Sequence, residues 1–269
     1  MTTAVFGGTG DVGGKVVAEL AARGEAVAIV SRNPPAPGTP AAAALGERVV
    51  HRPVDLASGD GLAAALDGVE TVVNVVGDAR GRAEVLVAGT RRLLEAEAVA
   101  GVGHHVAISI VGCDRSQIGY HRTTLEQERA VTNGPVPWST LRATQFHTLV
   151  ARVFAVAARA RLVPTGTGLL QPIDSAVVAR RLADAAQAGP SGRLPDVAGP
   201  QVLMLSELAA TWRDHAGRRL LPLRLPGVGS VGRALRDGLL CNREAATDGP
   251  TFAQWLARDA VGTSASVAG

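Results

Sequence analysis

Three glycines near the start of the chain have the spacing of a phosphate-binding turn. Gly7, Gly10 and Gly13 lie in the segment AVFGGTGDVGGKV, which reads as an apolar strand followed by a helix. Glycine lets the backbone turn sharply and approach a pyrophosphate, which the N-terminus of the following helix binds through its N–H groups and dipole. The order of strand, turn and helix therefore predicts a dinucleotide site. We assign to it Gly7, Thr9, Gly10, Asp11, Val12 and Gly13.

The same segment excludes a P-loop nucleoside triphosphatase. A GxxxxGK[ST] motif ending at Lys15 would require glycine in place of Thr9 and a hydroxyl side chain in place of Val16. The sequence therefore predicts nucleotide binding without ATP hydrolysis.

The end of the second predicted strand favours NADP(H) over NAD(H). An acidic residue at this point binds the adenosine ribose hydroxyls in many NAD sites. This chain has no Asp or Glu between Glu25 and Glu47, and it has Ser31 and Arg32 instead. A guanidinium forms charge-assisted hydrogen bonds to a phosphate and stacks on adenine, and a serine hydroxyl adds a donor. We predict that both residues bind the 2′-phosphate of NADP(H), while NAD(H) stays an alternative.

Further candidates follow the third and fourth predicted strands. Ligands in parallel sheets of this kind lie at the carboxyl ends of the strands. We therefore expect Asp55 and Leu56, and the residues Val75, Val76 and Gly77, to flank the adenine, the ribose and the phosphates. Asp55 has an alternative role as a helix cap.

Short β-branched runs alternate with alanine-rich helical segments up to about residue 160, which is typical of βαβ units. We predict an α/β fold, a Rossmann-like doubly wound parallel sheet with a smaller C-terminal substrate-binding lobe. The NAD(P)-binding domain covers residues 1–160, the lobe integrated with it covers 161–260, and 261–269 form a flexible tail. The six predicted strands are 5–6, 26–30, 49–54, 72–76, 106–111 and 139–141, and a helix is predicted from 145 to about 160.

Composition excludes several classes of protein. The 269 residues are 46% hydrophobic and 19% charged, which indicates a globular chain with a sizeable core. The formal charge is +3, without blocks of like charge, so we expect no nucleic-acid partner. Cys113 and Cys241 are far apart, which argues against a disulfide framework or a cysteine zinc site. The start lacks a signal segment and no apolar run would span a bilayer, so we expect a cytoplasmic protein with no membrane partner.

Eight segments together resemble the atypical short-chain dehydrogenase/reductase superfamily, and within it the NmrA-like NAD(P)H-binding proteins. The resemblance covers nearly the full length, and it implies a Rossmann-like fold and an NAD(P)H cofactor. The segments are GGTGDVG at 7–13, VDL at 54–56, SIVG at 109–112, YHRTTLEQE at 120–128, PWSTLRATQFH at 137–147, QPID at 171–174, AGP at 198–200 and TFAQWLA at 251–257.

The resemblance also implies a catalytic set, which this chain only partly retains. Complete relatives use a Ser or Thr after the fifth strand, a Tyr, and a Lys four residues beyond that Tyr. Ser109 and Tyr120 match, but Thr124 stands at the lysine position, and the only lysine, Lys15, lies in the phosphate-loop helix. Because an unassisted phenol has a pKa of about 10, it stays protonated at pH 7 and can donate a proton. We therefore predict reduction rather than alcohol oxidation. The alternative is a Tyr120 that packs without chemistry.

Two histidines are further candidate acids, because histidine titrates near neutral pH. His121 follows the tyrosine, and His147 lies in a segment that faces the nicotinamide in the relatives. That segment also gives Thr144 and Phe146 as candidate cofactor contacts. A structural histidine is the alternative for each. Adjacent histidines 104 and 105 enter a strand and point to opposite faces, so we predict no metal site.

Three hypotheses for function follow. The first is an NADPH-dependent reductase of a small organic carbonyl or conjugated substrate in biosynthesis, with Tyr120 or a histidine as proton donor and Ser109 as oxyanion partner. The second is a non-redox cyclase, dehydratase or isomerase, which the missing lysine motivates. The third is an NADP(H)-sensing binding protein without catalysis. For the enzyme we expect a small-molecule substrate and a monomer or homodimer.

Overall fold

A computed structural model of the chain describes residues 2–77 and 83–265. The chain forms two compact units, which interleave in sequence. The first unit comprises the described residues of Met1–Ser109, Gly119–Arg142 and Val178–Pro195. The second unit comprises those of Ile110–Ile118, Ala143–Val177 and Asp196–Gly269. The units do not share the predicted boundary near residue 160, because strand–helix alternation is a local signal and compactness depends on long-range contacts.

Strands and helices alternate through the first half of the chain. In order they are β1 (Thr2–Phe6), α1 (Asp11–Ala22), β2 (Ala26–Ser31), α2 (Pro40–Ala43), β3 (Val49–Pro53), α3 (Leu62–Leu66), β4 (Thr71–Asn74), α4 (Ala83–Ala100), β5 (His104–Ile110), α5 (Gly119–Thr132) and β6 (Trp138–Ala143). The second half continues with α6 (His147–Ala158), β7 (Leu162–Thr165), β8 (Leu169–Leu170), α7 (Ser175–Ala188), β9 (Gly192–Arg193), β10 (Val197–Ala198), β11 (Leu203–Met204), α8 (Leu205–Ala216), β12 (Leu221–Arg224), α9 (Gly229–Arg236), β13 (Ala246–Thr247) and α10 (Phe252–Ala265).

The first unit contains a parallel sheet in the order β3-β2-β1-β4-β5-β6, with β9 beside β6. Across the sheet the strand numbers decrease from β3 to β1 and then increase from β4 to β6. At this change between β1 and β4, the carboxyl ends of the neighbouring strands surround a crevice. Thr3 of β1 pairs with both Val27 of β2 and Thr71 of β4. The arrangement is a Rossmann-like α/β fold, so the predicted fold class is confirmed.

Apolar residues of the strands explain why the sheet is buried. Ala4, Val5 and Phe6 of β1 are at most 1% exposed, as expected for a central strand covered on both faces. Val16, Val17 and Leu20 form the buried face of α1, with the spacing of three and four residues predicted from the sequence. Burial of this face fixes α1 directly after the glycine turn.

The second unit has its own core and three short strand pairs. β7 pairs with β12, β8 with β11, and β10 with β13. Phe154 of α6 and Trp212 of α8 pack with ring centroids 5.8 Å apart, and Phe252 of α10 joins the same core. None of the described helices combines the length and apolar character needed to cross a bilayer.

Two predicted element boundaries need correction. The helix expected over 145–160 is α6, His147–Ala158, because Phe146 is still extended at its N-cap. The tail expected from residue 261 overlaps α10, which continues to Ala265, since adding residues to a formed helix costs little. Residues 266–269 lie outside the described residues.

Candidate cofactor and catalytic site

A cavity of about 530 Å³ lies at the carboxyl edge of the sheet in the first unit. It is enclosed by the segments that follow β1, β2, β3 and β4, together with Leu86 of α4. Ten residues predicted to bind the cofactor line it. They are Gly7, Thr9, Gly10, Ser31, Arg32, Asp55, Leu56, Val75, Val76 and Gly77.

The glycine turn is held by its own backbone. Gly7 has φ +81°, a left-handed conformation that L side chains rarely adopt, and its N–H donates to the Val30 carbonyl at 3.1 Å. The Gly10 N–H donates back to the Gly7 carbonyl at 2.9 Å. A Cβ on Gly13 would lie 2.1 Å from the Gly7 carbonyl oxygen. Only glycine at position 13 therefore allows α1 to pack against the turn.

The remaining three residues of the predicted phosphate loop do not line the cavity. Val12 lies on the buried face of α1, and Gly13 packs on the turn. The Asp11 carboxylate accepts a hydrogen bond from Lys15 Nζ at 2.6 Å. Their contribution is to position the N-terminus of α1, where Gly10 provides no side-chain cap.

Ser31 and Arg32 end β2 at one wall of the cavity. The Ser31 hydroxyl donates to the Asn33 carbonyl at 2.6 Å. Arg32 is exposed, and its guanidinium has no hydrogen bond or ion pair with the described part of the chain. Arg32 is thus a cation at the cavity whose hydrogen-bond donors are available to an anion.

Sequence reasoning missed part of this wall. Asn33, Pro34 and Ala36 also line the cavity. The available signal was the proline-rich segment directly after β2, because prolines fix a loop where β2 ends. Ala57 also lines the cavity. It directly follows Asp55 and Leu56, which were predicted to lie there.

The segments after β3 and β4 complete the other walls. The Asp55 carboxylate accepts from the Ala57 N–H at 2.9 Å, so this side chain fixes the turn as well as lining the cavity. The Asn74 side chain accepts from the Val76 N–H at 3.2 Å and shapes the turn after β4 in the same way. Both strand ends are therefore held in place by an acid or amide side chain.

Tyr120 lies beside the cavity, in the first turn of α5. It is 44% exposed, and its hydroxyl oxygen is 3.3 Å from the point that a Cβ on Gly77 would occupy. Thr124 is buried, and its hydroxyl donates to the Tyr120 backbone carbonyl at 3.0 Å. Thr124, which stands where the relatives have a lysine, therefore bonds to the backbone of its own helix and adds no charge beside the phenol.

Ser109 belongs to a buried polar network that the sequence did not predict. Its hydroxyl donates to Glu128 Oε2 at 2.6 Å. The Arg142 guanidinium donates to both Glu128 oxygens, at 2.9 Å from Nε and 2.7 Å from Nη2. The side chains of Arg142 and Glu128 are 6% and 10% exposed. The spacing of Tyr120, Thr124 and Glu128 along α5 places Glu128 on the helix face of the tyrosine, but it does not indicate the partners Ser109 and Arg142.

Burial raises the pKa of Glu128, but the hydrogen bonds from Arg142 and Ser109 lower it by more, so the net shift is downward. Glu128 is therefore ionised at neutral pH and can only accept hydrogen bonds. Because the Ser109 proton is directed to this carboxylate, Ser109 presents oxygen lone pairs elsewhere. This orientation differs from the oxyanion donor expected from the sequence.

The histidines differ in their surroundings. His121 is buried in α5 of the first unit, next to Tyr120 in sequence. His147, in the second unit, is 1% exposed, and its Nε2 donates to the Pro250 carbonyl at 3.1 Å. Burial lowers the pKa of His147 against the opposing effects of this bond and of Asp174. Contacts of its ring with Phe252 and Trp255 are those of a core histidine.

Two further predicted cofactor contacts, Thr144 and Phe146, also belong to the second unit. The Thr144 hydroxyl accepts from the Gly199 N–H at 3.2 Å, and Phe146 forms a parallel bridge with Ile173. Within that unit both residues connect the end of β6 to its neighbours.

Adjacent histidines 104 and 105 have separate partners, as their alternation along β5 predicted. His104 Nε2 lies 2.8 Å from the Ser139 hydroxyl, and His105 Nδ1 lies 2.8 Å from Glu97 Oε1. Burial lowers the pKa of His104, and the neighbouring His105 lowers it further.

The glycine turn, the strand order and the cavity at the carboxyl edge together define a dinucleotide-binding protein of the Rossmann-like class. In sequence, residues 7–187 match the model of the NAD(P)H-binding family, and the chain belongs to that family. Its cofactor is accordingly NAD(P)H, and the resemblance identified from the sequence motifs is confirmed. No curated protein matches the chain in sequence.

Solved structures share the fold at low identity. The NADPH-dependent quinone oxidoreductase from Escherichia coli in complex with NADPH is 19% identical, with TM-score 0.80 over 96% of this chain and 99% of that one. The triphenylmethane reductase of Citrobacter sp. complexed with NADP(H) is 18% identical, with TM-score 0.77 over 94% and 98%. A nucleoside-diphosphate-sugar epimerase from Staphylococcus aureus is 16% identical, with TM-score 0.75 over 95% and 99%. These similarities concern the fold.

Proposed function

We propose that the protein is an NADPH-dependent reductase of a small organic carbonyl or conjugated substrate. The observation that carries the proposal is the cavity wall formed by Ser31 and Arg32, where the Arg32 guanidinium has no hydrogen bond or ion pair with the described residues. Many NAD sites have an acidic residue at the end of this strand, and an arginine there suits a 2′-phosphate instead. The NADPH and NADP(H) complexes of the quinone oxidoreductase and the triphenylmethane reductase support the same cofactor and reaction class.

The described residues fit this cofactor. The Gly7 to Gly10 turn and the N-terminus of α1 would hold the pyrophosphate, Asp55 and Leu56 the adenine and its ribose, and Val75 to Gly77 the path toward the nicotinamide. NADPH bound there would supply a hydride to the substrate.

Tyr120 is the proton donor in this proposal. Its hydroxyl lies next to Gly77, at the end of the cavity away from Arg32 in the order of the strands. Thr124 stands where the relatives have a lysine, and the Tyr120 phenol would give its Oη proton to the substrate oxygen that becomes negatively charged. Ser109 does not serve as an oxyanion donor in this proposal, because its proton is directed to Glu128. The proposed direction, reduction, rests on Tyr120 as the proton donor.

Arg32→Ala should weaken NADPH binding by about tenfold to a hundredfold and leave NADH binding almost unchanged, because it removes a charge-assisted contact to the 2′-phosphate alone. Calorimetric titration with NADPH, NADP, NADH and NAD measures this. Arg48→Ala is the matched control, since Arg48 is an arginine of the same unit whose guanidinium binds the Gly24 carbonyl and lies outside the cavity. Equal NADPH affinity in the wild type and Arg32→Ala would refute the assignment of Arg32.

Tyr120→Phe should lower kcat by about a hundredfold or more with little change in the Kd of NADPH, because proton transfer by a positioned acid contributes that range. The assay is loss of NADPH absorbance with a panel of quinones, enones and aldehydes. His121→Gln is the comparison for the neighbouring histidine. Full turnover in Tyr120→Phe would show that another group donates the proton.

A further inference from the structure

A histidine on β3 lies against the hydroxyl that ends β2. His51 Nε2 is 3.1 Å from Ser31 Oγ and 3.2 Å from the Ser31 carbonyl oxygen. His51 is half-buried and does not line the cavity, whereas Ser31 does. His51 is thus placed to act on a ligand through Ser31.

The two contacts fix which nitrogen carries the proton. A carbonyl oxygen can only accept a hydrogen bond, so Nε2 of His51 must be the donor to the Ser31 carbonyl. The same N–H is then directed at Ser31 Oγ, which accepts from it. The position of a neutral histidine's proton is in this way set by its partner.

The Ser31 hydroxyl proton is consequently directed away from His51. Ser31 Oγ lies 2.6 Å from the Asn33 carbonyl oxygen, which also can only accept. Asn33 lines the cavity beside Ser31 and Arg32. The chain of donors runs from His51 through Ser31 to an acceptor at the cavity wall.

We propose that His51 is a positioning residue for cofactor choice, which keeps the Ser31 hydroxyl a donor toward the 2′-phosphate of NADP(H). The proposal rests on the proposed function, in which Ser31 and Arg32 face that phosphate. A phosphate dianion only accepts hydrogen bonds, so Ser31 binds it by turning its proton from the Asn33 carbonyl to a phosphate oxygen. The His51 N–H occupies a lone pair of Ser31 Oγ, which holds that oxygen in place and directs its O–H toward the cavity wall. Without this donor the hydroxyl is free to rotate.

The 2′-hydroxyl of NAD(H) does not require a hydrogen-bond donor from Ser31. A hydroxyl both donates and accepts, so it can pair with Ser31 in either orientation. The neighbouring Arg52 does not substitute for His51, because its guanidinium donates to the Ala65 and Asp67 carbonyls at 2.9 Å each. Loss of the His51 donor should therefore affect the phosphorylated cofactor selectively.

The test compares His51→Phe, which keeps a ring but removes the N–H, with His51→Gln, whose amide retains a donor. Calorimetric titration should show NADPH binding weakened about three- to tenfold in His51→Phe and NADH binding within about twofold of wild type, as expected for one hydrogen bond. His51→Gln should recover most of the NADPH affinity. Thermal unfolding of each variant without cofactor measures any effect on the fold.

Several results would overturn the proposal. Equal losses for NADPH and NADH in His51→Phe would assign His51 a structural role, as would failure of His51→Gln to recover affinity. Unchanged NADPH binding in His51→Phe, together with a loss in Arg32→Ala, would refute the role of His51 and keep the proposed function. A wild type that does not prefer NADPH to NADH would refute both.

Discussion

Gly13→Ala should reduce NADPH binding by at least about a hundredfold and lower the free energy of unfolding by roughly 2–4 kcal/mol, the range of severe overpacking. The added Cβ would lie 2.1 Å from the Gly7 carbonyl oxygen and 2.8 Å from the Gly8 Cα. Both are backbone atoms, so no side-chain rotation relieves the contact. The start of α1 must move away from the turn, and the N–H groups of its first turn, which we propose to bind the pyrophosphate, move with it.

Gly14→Ala is the matched control for this prediction. It lies one position further along α1, and its added Cβ would meet nothing nearer than 3.6 Å, an ordinary van der Waals distance. Alanine also favours a helix more than glycine does. Calorimetry and denaturant unfolding of both variants should therefore show a loss in Gly13→Ala alone. NADPH binding of wild-type strength in Gly13→Ala would show that the cofactor does not use this turn.

Arg142→Leu should lower the free energy of unfolding by about 3–5 kcal/mol, because it leaves the Glu128 carboxylate buried without the guanidinium that donates to both of its oxygens. Arg142 and Ser109 both lower the pKa of Glu128 through side-chain hydrogen bonds. In the variant, only the bond from Ser109 remains of these two. The double variant Glu128→Gln with Arg142→Leu should recover part of the loss, because the buried charge is gone. Urea unfolding of the wild type, the two single variants Arg142→Leu and Glu128→Gln, and the double variant measures the coupling.

Arg23→Leu provides the contrast of a partly exposed ion pair in the same unit. Arg23 binds Glu19 and Asp184, whose side chains are 31% and 55% exposed. Its removal should cost no more than about 1 kcal/mol, as for other surface pairs. A loss in Arg142→Leu no larger than that in Arg23→Leu would show that the Glu128–Arg142 pair contributes little to folding.

The same network has a defined pH dependence. The pKa of Glu128 is lower in the folded chain than its ordinary value of 4.5. The ionised Glu128 carboxylate therefore contributes fully to the free energy of unfolding above pH 4.5. This contribution is lost as the pH falls through the lower pKa of the folded chain. In Arg142→Leu, burial without the guanidinium should raise the pKa of Glu128 instead, so the stability difference between this variant and the wild type should narrow toward acidic pH. Urea unfolding between pH 7 and 4 checks this expectation.

The parts of the fold that depend on local pattern were predictable from the sequence. The glycine turn, the strand runs and the helix after them follow short local spacings, and the fold class predicted from them is confirmed. Gly7, Thr9, Gly10, Ser31 and Arg32 line one cavity, because strand ends in a parallel sheet meet at one edge. Their binding of the cofactor stays a prediction.

The side-chain partners were not predictable in the same way. Glu128 and Arg142 are 14 positions apart, and Ser31 and His51 are 20 apart. Their contacts depend on the register of neighbouring strands and on how α5 rotates over the sheet, which no short-range spacing encodes. The sequence identified Ser109 and Ser31 as candidate donors to a ligand, whereas the contacts with Glu128 and His51 determine where each hydroxyl proton is directed.

The interleaving of the two compact units limits how this protein could be recombined with its relatives. Each unit is assembled from three separate stretches of chain, so one crossover in the gene cannot exchange a whole unit. A chimera that imports another protein's residues 161–269 would bring the stretch 178–195 into a first unit whose other stretches are native. Exchange of the second unit as a module would thus require Ile110–Ile118, Ala143–Val177 and Asp196–Gly269 to be replaced together.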